Sequence, residues 1–199
     1  MNWIARTMLV ALSVATLGLV ASSTPAQGVP VFEIVKADSK IKFNVKASVP
    51  IEGNFEKTDA SLTFTSPELA TAVLDIKIQA ASVNTGSSMK DGKLKSKDFF
   101  NAEHDPLITF HSTKLTQTGP DTIEIDGDFT IRGVTKQEKL TFKVNGKGKG
   151  VGSIVGTMAF DRKDYGMNSG IPFIKIADRV EVDVDLAGKR VSGPPVDLK

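Results

Sequence analysis

The chain has 199 residues, 40% of them hydrophobic, with 25 basic against 23 acidic side chains and no cysteine. The lack of cysteine excludes disulfides, thiolate catalysis, Cys-ligated metal and lipid attachment through an N-terminal cysteine. A net charge of +2 with one Trp and one Tyr provides neither a basic stripe nor base-stacking aromatics, so no nucleic-acid partner is expected.

Taken in chain order, the first feature is a leader. Arg6 is the only charge before Glu33, an apolar run extends from Met8 to about Ala21, and the small residues Ser22-Ser23-Thr24-Pro25-Ala26 follow. A basic start, an apolar stretch and a small-residue exit predict a secretory signal peptide over residues 1–26, cut after Ala26, with a cut after Ser23 fitting almost as well. The run is shorter than the roughly 20 residues of a spanning helix, so no stable membrane span is expected after cleavage. Export without cysteine points to a bacterial periplasmic or secreted protein. The mature chain is then long enough to bury one ordinary core.

Past residue 30 the dominant period is two. Ile41, Phe43 and Val45 alternate with lysines and Asn44, and Leu74, Ile76 and Ile78 alternate with Asp75 and Lys77. The pattern recurs at Ile123 to Ile131, at Leu140, Phe142 and Val144, at Ile154, Met158 and Phe160, and at Val180 to Leu186. Successive strand residues face opposite sides, so each run has one apolar and one wet face. Weaker runs at 31–36, 51–57, 60–65 and 107–115 bring the number to about eight to ten strands. Turn residues separate them, among them Ser66-Pro67-Glu68 and Gly119-Pro120-Asp121. Short half-apolar strands without a helical period predict an all-β fold, an antiparallel barrel or sandwich. Residues 87–100 break the pattern and predict a short helical excursion, weakened by Gly92, that closes one end. The barrel domain is placed at 27–188, and the Pro194-Pro195 stretch predicts a flexible tail over 189–199.

Chemistry-bearing motifs are sparse. His104 and His111 lie seven apart with no third ligand at a recognisable spacing, so no metal and no cofactor is expected. The glycine-lysine run at 146–152 misses the phosphate-binding register and joins two strands, which makes it a flexible hairpin. Asp161, Arg162, Lys163 and Asp164 read as paired charges at a strand end. Eleven phenylalanines outnumber the other aromatics, and most in the mature part fall on inward slots. An eight-stranded barrel either fills with its own side chains or holds one guest, and periodicity alone leaves both open.

An ordered set of motifs carries a family resemblance. Ala81-Ser82-Val83-Asn84-Thr85-Gly86, then Asp91, Leu94, Ser96 and Asp98-Phe99-Phe100, then Pro106, Ile108-Thr109-Phe110 and Ser112 form one block. Phe129-Thr130-Ile131-Arg132-Gly133-Val134-Thr135-Lys136 and Arg162-Lys163-Asp164-Tyr165-Gly166 form two more, and Phe32-Glu33-Ile34 opens the series. Together they resemble the YceI family over essentially the whole mature chain, Gln137 standing where the family often has Pro. The resemblance implies a lipocalin-like antiparallel β-barrel of about eight strands. It also implies a long apolar tunnel for a polyisoprenoid, isoprenoid-quinone-like or related lipid, in a periplasmic or secreted carrier, store or scavenger rather than an enzyme. Phe43, Val45, Leu74, Ile76, Ile78, Phe99, Phe100, Phe110, Phe129, Phe142, Met158 and Phe160 are the expected tunnel lining. Asp91, Arg132 and Asp164 are expected at the mouth, to meet a head group or to fix the closing segment. A homodimer through an exposed edge or mouth is compatible with this reading. The alternatives are a stress-response or structural protein with a filled core, and an enzyme using His104 or Asp164 as acid–base group.

Overall fold

Alternating side chains become, in the computed structural model, eleven strands of one antiparallel sheet. The structure describes residues 28–170 and 173–198, so the expected leader lies outside the described residues. In chain order the strands are β1 (Val31–Ile34), β2 (Lys40–Ala47), β3 (Ile51–Phe55), β4 (Thr58–Thr63), β5 (Val73–Gln79) and β6 (Val83–Asn84). One helix, α1 (Ser88–Lys95), precedes β7 (Leu107–Gly119), β8 (Thr122–Ile131), β9 (Val134–Asn145), β10 (Val151–Asp161) and β11 (Ile176–Ser192).

The sheet order is β4-β5-β7-β8-β9-β10-β11-β2-β3-β6, and it closes on itself through two bent strands. Only Glu56 and Lys57 separate β3 from β4, and only the 3-10 turn Ala80–Ser82 separates β5 from β6. These two bent strands face each other: Asn54 opposes Asn84, and Thr58 opposes Ile78. Across the bend Glu56 N donates to Ser82 O and Gln79 N to Lys57 O, both at 3.0 Å. Because β3 also pairs with β2, the ring closes with β3–β4 and β5–β6 each acting as one strand. That makes an eight-membered antiparallel barrel, as the family resemblance implies; the alternation alone left barrel and sandwich open. The short β1 pairs with the far end of β11, and its Phe32 ring stacks 5.6 Å from Phe64.

The excursion at 87–100 is α1 followed by a compact turn in which Phe100 N donates to Leu94 O at 2.9 Å. The run at 146–152 is the β9–β10 hairpin, where Gly146, Gly148 and Gly150 take φ of +78°, +76° and +72°. The C-terminal segment is placed differently from the expected tail. Strand β11 continues past 188 to Ser192, pairing Lys189 with Glu33 and Arg190 with Phe32. Beyond it Asp197 N donates to Pro67 O at 3.1 Å, and Val196 and Leu198 pack on the core. The Pro-Pro pair ends the strand, and the apolar residues after it still find a face to cover.

Inward side chains form one hydrophobic cluster inside the barrel. Three inward or near-inward slots are glycines, and each carries a phenylalanine ring. A Cβ on Gly53 would lie 2.9 Å from Phe43, one on Gly127 would lie 2.6 Å from Phe110, and one on Gly156 would overlap Phe142. Gly53 and Gly156 stand directly across the ladder from Phe43 and Phe142. A missing side chain lets a large ring lie flat against the wall, and glycine in a strand marks that kind of close approach. Gly156→Val therefore forces the Phe142 ring inward and is expected to lower unfolding free energy by about 1–3 kcal/mol. Urea denaturation checks this, and an unchanged midpoint overturns the niche.

Candidate functional site

The layer at the α1 end encloses a cavity of about 70 Å³. Its walls are the inward residues of the strand ends: Ile41, Phe43 and Val45 of β2, Ile51 and Phe55 of β3, Ile78 of β5, Ile108 of β7, Phe129 and Ile131 of β8, Phe160 of β10, and Ile176, Val180 and Val182 of β11. Leu94, Phe99 and Phe100 roof it, with Met167 at one side. Two aromatic clusters stiffen the walls. Phe43, Phe55 and Phe100 have centroids 5.6–6.3 Å apart, and Phe129, Phe160 and Tyr165 have centroids 5.1–5.4 Å apart. Such edge-on and tilted pairs add to the stabilisation from burial.

Seven of the expected lining residues meet here: Phe43, Val45, Ile78, Phe99, Phe100, Phe129 and Phe160. The other five, Leu74, Ile76, Phe110, Phe142 and Met158, are buried but line neither this cavity nor the one at the opposite end. They form a filled belt across the middle of the barrel. The interior is therefore two voids with a plug between them, where a single tunnel was expected.

The single charged group in the cavity lining is Arg162, 6% exposed. Alternation along β10 places it: Ile154, Gly156, Met158 and Phe160 face inward, and Arg162 takes the next slot. Its Nε donates to Ala177 O at 3.1 Å, Nη1 to Ser169 O at 3.1 Å and to Met167 O, and Nη2 to Asp178 Oδ1 at 3.0 Å. Asp178 also receives Lys163 Nζ at 2.7 Å. The Lys163 hydrogen bond, with further help from Arg162, holds the Asp178 carboxyl below the usual carboxylate range. The cation is thus neutralised, and the rest of the cavity lining is apolar.

The three expected mouth residues have structural partners. Asp91 Oδ1 accepts from Thr85 N and Oγ1 at 2.8 and 2.7 Å, which ties α1 to the strand before it. Arg132 sits at φ +54°; its Nη2 donates to Lys97 O at 3.0 Å and its Nη1 to Gly166 O, so it clamps the roof to the 162–166 turn. Asp164 pairs at 3.6 Å with Lys136 on the surface. Below this clamp Tyr165 is fully buried and donates to Glu138 Oε1 at 2.7 Å; burial first, then Glu138, pushes the phenol far above its ordinary range. Of the two histidines, His111 pairs its Nδ1 with Asp75 Oδ1 at 2.7 Å on the outer face, and His104 is exposed in the turn after Phe100. Removing the buried guanidinium leaves three carbonyls without their donor. Arg162→Met is expected to cost about 3 kcal/mol, read by urea denaturation, and a loss below the error of that method overturns the assignment.

Comparison with known proteins agrees with this geometry. A family model described as YceI-like domain matches residues 32–187. A UPF0312 protein of Azotobacter vinelandii is 32% identical over 97 residues, which span 49% of this chain and 50% of that relative. Among solved structures, Burkholderia cenocepacia BcnA superposes with a TM-score of 0.71 at 25% identity, covering 78% of this chain and 99% of that one. A polyisoprenoid binding domain from Saccharophagus degradans superposes with a TM-score of 0.64 at 14% identity, covering 81% and 99%. At that identity the likeness is one of fold.

Proposed function

The chain belongs to the YceI-like domain family, and from that premise we propose that its barrel binds the apolar chain of a polyisoprenoid or isoprenoid-quinone-like lipid, without catalysis, as a carrier, store or scavenger. The observation that carries this reading is the cavity beneath α1, whose lining is apolar apart from one fully partnered arginine. The polyisoprenoid binding domain of Saccharophagus degradans shares the fold and supports the ligand class. Each buried methylene contributes roughly 0.8 kcal/mol, so binding needs no further chemistry.

Size sets a condition on the mechanism. A cavity of roughly 150 Å³ takes one benzene, so 70 Å³ holds a fragment of a chain. A long guest must lift the Leu94–Phe100 roof, displace the Phe110–Phe142 belt, or both. The belt itself favours a second reading, a stress-response or structural protein whose core is filled and whose partner is external.

One experiment separates the two. Protein purified without detergent is extracted with organic solvent and the extract analysed by mass spectrometry. The expected result is a long-chain isoprenoid-like lipid, lost in Val182→Trp, which fills the cavity from β11 while circular dichroism stays that of the wild type. An extract without lipid, or a folded Val182→Trp that retains it, overturns the proposal.

The compartment belongs to the same reading. The leader over residues 1–26 sends the chain to the periplasm or outside the cell, where a water-insoluble chain needs a soluble host. Intact-mass analysis of the periplasmic fraction is expected to find a mature chain beginning at Gln27. A chain retaining Met1 in the cytosol overturns this part alone.

A further inference from the structure

The glycine-lysine hairpin at 146–152 has no part in binding beneath α1, yet it borders a second and larger void. This cavity, about 160 Å³, lies on the far side of the belt, at the end of the barrel opposite α1. Phe32, Leu62, Phe64, Ile123 and Leu186 form its apolar wall, and Val196 and Leu198 of the C-terminal segment cover it from one side. Its volume is close to that of an apolar cavity that stays dry and takes benzene, so it suits a chain of about six carbons.

Its rim differs from the other end in charge. Lys147 and Arg190 line it, and no acidic side chain does. Among the described residues neither is in an ion pair: Lys147 Nζ reaches only Pro120 O at 3.4 Å, and Arg190 Nη1 donates to Gly193 O. The acidic residues of the neighbouring segments, Glu68, Asp121 and Asp197, stay outside the lining. Glycines at 146, 148, 150 and 152 keep the hairpin bare, so backbone and lysine face the opening without intervening side chains. At the α1 end, by contrast, the one lining cation is matched by Asp178.

We propose that this end is a second binding site, for a single-chain amphiphile with an anionic head, a carboxylate or a phosphate ester. The tail occupies the Phe32–Phe64–Leu186 void and the head meets Lys147 and Arg190. Two cations with only carbonyl partners gain charge-assisted hydrogen bonds from such a head, while an apolar tail gains contacts that water cannot make there. The belt keeps this guest apart from any chain beneath α1, so the two sites are independent.

The test is an NMR titration of the intact mature chain with octanoate, octyl phosphate and, as a neutral control, 1-octanol. Both anions are expected to saturate at one equivalent, with shifts at Phe32, Phe64 and residues 146–152; their ranking separates a carboxylate from a phosphate head. The surface double variant K147E/R190E weakens both anions about tenfold and leaves octanol nearly unchanged. Val182→Trp leaves anion binding at the wild-type level whether or not the α1 cavity holds a lipid, so failure of that reading is seen separately. Equal affinity of K147E/R190E and wild type for octanoate, shifts confined to the α1 end, or no saturation by either anion overturns the site.

Discussion

Closing eight strands into a ring sets the width of everything inside it. A barrel of this size leaves a lumen just wide enough for side chains to fill or for one slender guest to occupy. Whether a void exists at a given height therefore depends on which side chain points inward there and how it lies. Phe110 and Phe142 are buried and line neither void, and between the two voids the barrel is full. Phe43 lies over Gly53 near one end, and there a cavity remains. The same residue type fills one part of the barrel and walls a cavity in another, although each of these three rings lies against a glycine.

The two ends inherit opposite electrostatics from this arrangement. At the α1 end the chain turns a charged residue inward just past the end of β10 and surrounds it with Asp178 and three backbone carbonyls. A buried guanidinium with every visible demand met fixes the 162–178 segment in place and offers little to a guest. At the hairpin end the cations lie at the rim, in contact with water, and have only carbonyl neighbours. One barrel thus joins a neutral interior at one end to a positively charged opening at the other. The filled belt keeps these fields and voids from merging.

Most of the fold was legible because a period of two over long strands is hard to mistake. Strand β8 is the clearest case, with burial alternating at every residue from Thr122 to Ile131. The weak pattern at 107–115 has a physical cause: β7 bulges between Ser112 and Lys114, so the inward parity passes from Ile108, Phe110 and Ser112 to Leu115. Arg162 was also within reach, since it continues the inward series of β10, but a charged residue on an apolar slot reads as the end of a strand. The covered C-terminal segment was less accessible, because Val196 and Leu198 acquire a face only after β1 and β4 are brought together. The plug was not legible at all. Alternation says that Phe110 and Phe142 point inward, and only the folded barrel shows that they, with Met158 and Leu74, line neither cavity.

The roof is the part of the barrel held by the fewest long-range hydrogen bonds. The wall strands are laddered on both sides, whereas α1 is eight residues long and carries Gly92 in its middle. A helix that short has little stability of its own, and glycine lowers it further. What holds it is a small set of clamps: Asp91 to Thr85, Arg132 to Lys97 O, and Lys90 to Pro50 O at 3.4 Å. Local opening concentrates where buried contacts are few and backbone bonds are exposed. Local opening is therefore expected first at the segment that carries Leu94, Phe99 and Phe100. Arg132, held in a left-handed backbone conformation, ties the roof to the 162–166 turn even though it does not line the cavity.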